Sequence, residues 1–204
     1  MSIAARIGVV VVVVVMAVLA TGGWYVWQRP FKVYAWIALL YAHAHPDRVL
    51  RLVLVNGGAL KGDRPDLSLT PKSRDEAARL MTQLRDPSAP QVQGFILDDI
   101  VREAHTGALA RLSQSSSEME QYLLEGRLEQ IAAPVDLLWG ESDKLFPLTY
   151  ARRMMESLPA SRLTTIPRCG HVPQQECPSR FRASLFDILQ SAPPTRPVRN
   201  AQAR

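Results

Sequence analysis

From Ile7 to Trp27 the chain carries no charged side chain, 21 positions in a row, with seven consecutive valines, Val9 to Val15, at their heart. As a helix rising 1.5 Å per residue, such a run reaches roughly 30 Å, the thickness of a bilayer's hydrocarbon core. Valine is a middling helix former in water, but in lipid the backbone must satisfy its own hydrogen bonds, and that requirement outweighs propensity. Trp24, Tyr25 and Trp27 gather at one end, where amphipathic rings favour the headgroup layer, and Gln28, Arg29 and Lys32 follow. A cleaved signal peptide would start at Arg6 and end near Val18-Leu19-Ala20. A retained anchor accounts better for a run that passes that site and finishes in aromatic residues. Residues 1–32 are therefore expected to form one transmembrane helix. Arg6 on one side and Arg29 with Lys32 on the other nearly cancel as topology signals. A short tail before a first span usually stays cytoplasmic, which places the body on the non-cytoplasmic side.

The rest of the 204 residues reads as an α/β body. Overall, 47% hydrophobic and 21% charged residues exclude wholesale disorder, collagen and coiled coil. The net charge of +5 comes from 24 Lys and Arg set among 19 Asp and Glu, too scattered for a nucleic-acid surface. Residues 36–45 are rich in helix formers and stop before Pro46, and 51–56 is a short apolar strand closed by Gly57 and Gly58. The alternation returns with a strand at 135–139, a helix at about 148–158, a strand at 162–166 and a helix at about 179–189. The last of these sets Phe181, Leu185, Ile188 and Leu189 on one face. Fully apolar strands between helices belong to a parallel sheet. A helical insertion occupies 68–131, where Ser73/Glu76 and Ser117/Glu120 have capping-box spacing. Leu80, Met81 and Leu84 continue the first of its helices, and Phe95, Ile96, Ile100 and Val101 mark a second. Residues 191–204, with three prolines and three arginines, read as a disordered basic tail. The domain spans 33–190.

In open parallel sheets the reactive groups sit just past the carboxyl ends of strands. Asp143 follows the strand at 135–139, in Gly140-Glu-Ser-Asp143, and His171 follows the strand at 162–166, in Pro167-Arg-Cys-Gly-His171. A carboxylate orienting an imidazole that accepts a proton supplies two members of a nucleophile–base–acid relay. An Asp in a glycine-rich turn, or a lone His, is ordinary taken singly. Their order at successive strand ends makes the pair informative. Cys169 and Cys177 lie eight apart without the tight pairing of a structural zinc site, so no metal is expected. They read as two buried or partly exposed thiols, a disulfide arising only in an oxidising compartment. His43 and His45 sit at a helix end, where a cation complements the dipole.

Three stretches resemble the α/β-hydrolase fold. Trp36-Ile-Ala-Leu-Leu-Tyr41 through His45-Pro-Asp-Arg-Val49 and Leu52-Val-Leu-Val-Asn-Gly57 is similar to the helix and strand after the family's nucleophile elbow. Ile131-Ala-Ala-Pro-Val-Asp-Leu-Leu-Trp-Gly140 with Glu141-Ser-Asp143 resembles the acid-bearing strand and turn. Cys169-Gly-His171-Val-Pro-Gln-Gln-Glu176-Cys-Pro178 resembles the histidine loop. The resemblance covers about 35–190 and implies Asp143 as triad acid, His171 as base, the insertion at 68–131 as a lid over an acyl pocket, and no cofactor. An anchor ahead of such a body is similar to the monoacylglycerol-lipase-like branch, which implies a lipid or other small ester as substrate.

The family's serine sits in Gly-x-Ser-x-Gly on a sharp strand-to-helix turn. No such motif occurs here, and counting back from Trp36 puts Lys32 in the serine's place, within Arg29-Pro-Phe-Lys-Val-Tyr-Ala35. Lys32 as nucleophile is chemically conceivable, yet a lysine beside a membrane span is ordinary. The strands before the elbow are expected to be missing too, roughly 60 residues at about 30 per βαβ unit, which leaves strand 51–56 without its inner partner. Ser115, Ser116, Ser117 and Ser142 occupy no elbow. The expectation is a partial α/β-hydrolase fold with an acid and a base and no nucleophile. The alternatives are a membrane-tethered binding module and a defective gene product.

Overall fold

The computed structural model describes residues 9–13, 32–61, 69–106 and 120–195. Its strands form one parallel sheet in sequence order: β1 (Val9–Val13), β2 (Val49–Val55), β3 (Val135–Gly140) and β4 (Ser161–Ile166). Parallel neighbours need crossovers. Helix α1 (Lys32–Ala44) lies between β1 and β2, α2 (Arg74–Leu84) and α3 (Gly94–Thr106) between β2 and β3, and α4 (Leu148–Ser157) between β3 and β4. The short α5 (Pro173–Glu176) and α6 (Pro178–Gln190) follow β4.

Strand side chains alternate between faces, and the sheet is buried on both. Leu52 and Leu54 of β2 and Leu137 and Trp139 of β3 pack on one side with Trp36 and Leu39 of α1 and Met154 of α4. Val53, Leu138 and Ile166 turn to the other, against Phe181 and Ile188 of α6. Leu189, grouped on one face of α6 with Phe181, Leu185 and Ile188, is 40% exposed and lies off the buried face; Phe95 on α3 is 56% exposed. Ser73 caps α2 by accepting the Glu76 N–H at 3.2 Å, while the Glu76 carboxylate accepts from Lys72 N, one residue before the cap, at 2.8 Å. The second capping box falls largely outside the described residues; Glu120–Tyr122 is a single 3₁₀ turn.

The N-terminal run departs most from expectation. Val9–Val13, inside the stretch expected to cross a membrane, is a strand whose Val11, Val12 and Val13 pair with Leu52, Val53 and Leu54. No helix among the described residues is long and apolar enough to span a bilayer. The physical reason is an ambiguity of pattern. An unbroken apolar run suits a lipid-facing helix and a parallel strand buried on both faces equally, and branching at Cβ favours the strand. β1 also occupies the edge of β2 expected to be empty. The rest of the proposed span, 14–31, with Trp24, Tyr25 and Trp27, lies outside the described residues.

At the amino ends of the strands, Asp136 of β3 is fully buried between two arginines from its neighbours. Its Oδ2 accepts from Arg51 Nε at 2.7 Å and its Oδ1 from Arg162 Nε at 2.8 Å. Arg51 then donates to the carbonyls of Ile188 and Ser191 at 2.7 and 2.9 Å, and Arg162 reaches Ser191 Oγ at 2.7 Å. Two cations meet the carbonyl end of α6, where the helix dipole favours them. Ser191, read as the start of a free tail, is thus part of the fold; 196–204 lie outside the described residues. Asp136→Ala leaves a buried guanidinium uncompensated and should cost about 3–5 kcal/mol, read as a lower urea midpoint.

Candidate functional site

Asp143 and His171, named from the sequence as acid and base candidates, meet. His171 Nδ1 lies 2.7 Å from Asp143 Oδ2, with both residues buried. The other carboxylate oxygen accepts from the backbone N–H groups of Leu145 and Phe146 at 2.9 and 3.0 Å. An ionised carboxylate only accepts, so this contact assigns a proton to Nδ1, and in the neutral tautomer that follows, the lone pair is on Nε2. Nε2 makes no hydrogen bond with a described residue. The Phe146 ring stands 5.8 Å from the imidazole, centroid to centroid, and its carbonyl is fixed by Trp139 Nε1 at 2.7 Å.

The pair depends on two loops lying against each other. Gly140 pairs with Ile166 at the ends of β3 and β4, and a Cβ on it would collide with the backbone of Cys169 and Gly170. Ser142 N donates to Cys169 O at 2.8 Å. Gly170 is as tightly placed, against Leu84 O, Arg85 and the Glu176 carboxylate. His171 N donates to Leu84 O at 2.7 Å, tying the histidine loop to the end of α2. Glu176 accepts from Gly170 N at 2.9 Å and Asp86 N at 2.6 Å, and so braces the same junction. Hydrogen bonds from Ser142 and Ser88 hold the Asp86 carboxyl below its usual range.

Cys169 and Cys177 are joined in a disulfide, with Cα atoms 6.0 Å apart, and not left as thiols. The bridge closes the loop that carries His171, and both cysteines are buried in the cluster that includes Phe181 and Ile188 of α6. His43 is in the last turn of α1, and the His45 ring rests on Tyr41 at 4.7 Å. Lys32 is the first residue of α1. Among the described residues no seryl oxygen bonds His171: Ser142 Oγ is engaged with Asp86, and Ser115–Ser117 lie outside them.

Sequence reasoning missed Asn56 and Glu176 as site residues. Asn56 ends the β2 run with φ at 38°, and its side chain bonds Asp143 Oδ2 at 2.8 Å, Gly170 O at 3.1 Å and Gly140 N at 3.0 Å. The available signal was an Asn before two glycines at a strand end, since Asn tolerates left-handed backbone.

A parallel sheet covered by helices, with a buried carboxylate–imidazole pair at successive strand ends, defines an α/β hydrolase-type scaffold. The model of the alpha/beta hydrolase family matches residues 8–184, from the residue before β1 into α6, and the chain belongs to that family. It is 27% identical over 171 residues to a 2-hydroxy-6-oxononadienedioate/2-hydroxy-6-oxononatrienedioate hydrolase of Cupriavidus pinatubonensis, covering 74% of this chain and 57% of the relative. It is 27% identical over 128 residues to monoacylglycerol lipase ABHD6 of Bos taurus, covering 62% of this chain and 37% of that one. The chain thus spans little more than half the length of the first of these relatives, and less of the second. In structure it resembles serine hydrolase CCSP0084 from Cycloclasticus zankles, with a TM-score of 0.63, 19% identity, and coverage of 78% of this chain and 62% of the other.

Reduction with dithiothreitol, or Cys169→Ser with Cys177→Ser, should lower unfolding stability by about 2 kcal/mol, since the closed loop is short. Hydrogen exchange should quicken first at the amides of Gly170 and His171.

Proposed function

We propose that the chain is a disarmed ester hydrolase: Asp143 and His171 are the acid and base of an acyl-transfer relay, and the hydroxyl they would activate is missing. The observation that carries this reading is the His171 imidazole, held through Nδ1 by Asp143 at 2.7 Å, with Nε2 bonded to no described residue. That arrangement suits a base awaiting an O–H. The family carries its serine between a strand and the following helix. Here residues 14–31, between β1 and α1, contain no serine and no cysteine. Lys32 stands at the position matched to the serine.

The substrate class the scaffold suits is a carboxylic ester of a lipid or another small alcohol, in keeping with the monoacylglycerol lipase among its relatives. We take the insertion at 68–131 as the lid over the acyl group, a reading supported by α2, which meets the histidine loop at the bond from His171 N to Leu84 O. Without a serine there is no acyl-enzyme, and each absent oxyanion donor costs a further factor of about 10²–10³.

The test is incubation of the purified chain with a fluorophosphonate probe, and separately with p-nitrophenyl acetate and a monoacylglycerol. The expected outcome is no labelling and no hydrolysis above that of the His171→Ala variant. Stoichiometric labelling, or turnover that His171→Ala abolishes, overturns the proposal.

A further inference from the structure

We infer that Asn56 is a positioning residue that aims Asp143 at His171 and so keeps the imidazole proton on Nδ1. The inference rests on Asp143 and His171 forming the acid–base pair described above. Asn56 is 3% exposed, and its backbone N–H is tied to Leu138 O of β3 at 3.1 Å. Its side chain faces one donor, Gly140 N, and two acceptors, Asp143 Oδ2 and Gly170 O. Only one orientation of the amide satisfies all three, with Oδ1 toward Gly140 and both Nδ2 hydrogens spent on the acceptors. One amide therefore touches the acid, the first residue of the acid's turn, and the residue that precedes the base.

Asp143 Oδ2 receives two donors, Asn56 Nδ2 at 2.8 Å and His171 Nδ1 at 2.7 Å. Oδ1 is held by two backbone N–H groups. With Asn56 in place, rotation of the carboxylate breaks bonds at both oxygens, and Oδ2 stays pointed at the ring. Without it, the only other described group on Oδ2 is the imidazole it is meant to orient. The bond to Gly170 O fixes the ring's side of the pair through the adjoining residue.

The test separates the side chain from the backbone it stands on. Asn56→Asp keeps the shape and the tolerance for φ at 38° but turns the donor into an acceptor. Asn56→Gly keeps the backbone freedom and removes the side chain. The readout is the His171 Nδ1–H proton in NMR spectra of protein labelled with ¹⁵N-histidine, recorded beside thermal unfolding.

In the unaltered protein the proton should resonate far downfield and exchange slowly, and the Asn56 side-chain amide should be protected with it. In either folded variant the His171 signal should vanish or exchange at least tenfold faster. Ile188→Ala, which loosens the opposite face of the sheet, should leave it in place. A native-like Nδ1–H signal in a folded Asn56 variant overturns the inference, as does rapid exchange of the Asn56 amide in the unaltered protein, which decides the matter if neither variant folds. Ester turnover plays no part in this readout, so its failure is distinct from failure of the proposed function, which probe labelling reports.

Discussion

The contact of Gly140 with the backbone of Cys169 and Gly170 is the constraint on which the site depends. β3 and β4 are parallel neighbours in register, so their exit loops leave side by side, but only a residue without a side chain lets them touch. Once they touch, Asp143 and His171 come within one hydrogen bond, and Asn56 from the adjacent β2 closes the group. The same strands carry polar residues at both ends. Arg51, Asp136 and Arg162 lie at the amino ends, and Asn56, Asp143 and His171 lie at or just beyond the carboxyl ends. The first set docks the end of α6, whose other residues pack on the disulfide that closes the histidine loop. Fold and site are thus joined at each end of one sheet.

Length and absence of charge distinguish a membrane helix from a helix buried in a protein core, but not from the central strand of a parallel sheet. The valines from Val9 to Val13 satisfy both patterns. What separates them lies some 40 residues downstream, in β2, an apolar strand that needs a partner on the edge away from β3. Local sequence does not contain that information. The family match beginning at residue 8 is consistent with the pairing, because it includes the strand the membrane reading had set aside.

Asp143 and His171 were legible because a strand end followed by a short glycine-containing turn is a local signal, repeated twice in the right order. The strands read at 135–139 and 162–166 and the helices read at about 148–158 and 179–189 come within a residue of the observed bounds, because apolar periodicity and turn residues are local as well. Asn56 was not, because its role is made of hydrogen bonds to residues 84, 87 and 114 positions away. The disulfide was weighed by compartment, whereas burial of both sulfurs under α6 depends on packing that Cys spacing does not encode. Leu189 was grouped with Phe181, Leu185 and Ile188 on one face from apolar character alone, and which part of a helix is covered depends on its neighbours.

A buried carboxylate and imidazole can stand in a protein without performing catalysis, provided their polar atoms are satisfied. Asp143 meets that condition with its oxygens shared among Leu145 N, Phe146 N, Asn56 Nδ2 and His171 Nδ1. Among the described residues, taking away the imidazole leaves Oδ2 on Asn56 alone, and taking away the carboxylate leaves both a ring nitrogen and an amide hydrogen without an acceptor. The loops over β3 and β4 therefore draw stability from the pair whether or not an ester is ever cleaved. What catalysis would need in addition is a hydroxyl at Nε2, and among the described residues no group hydrogen-bonds that nitrogen.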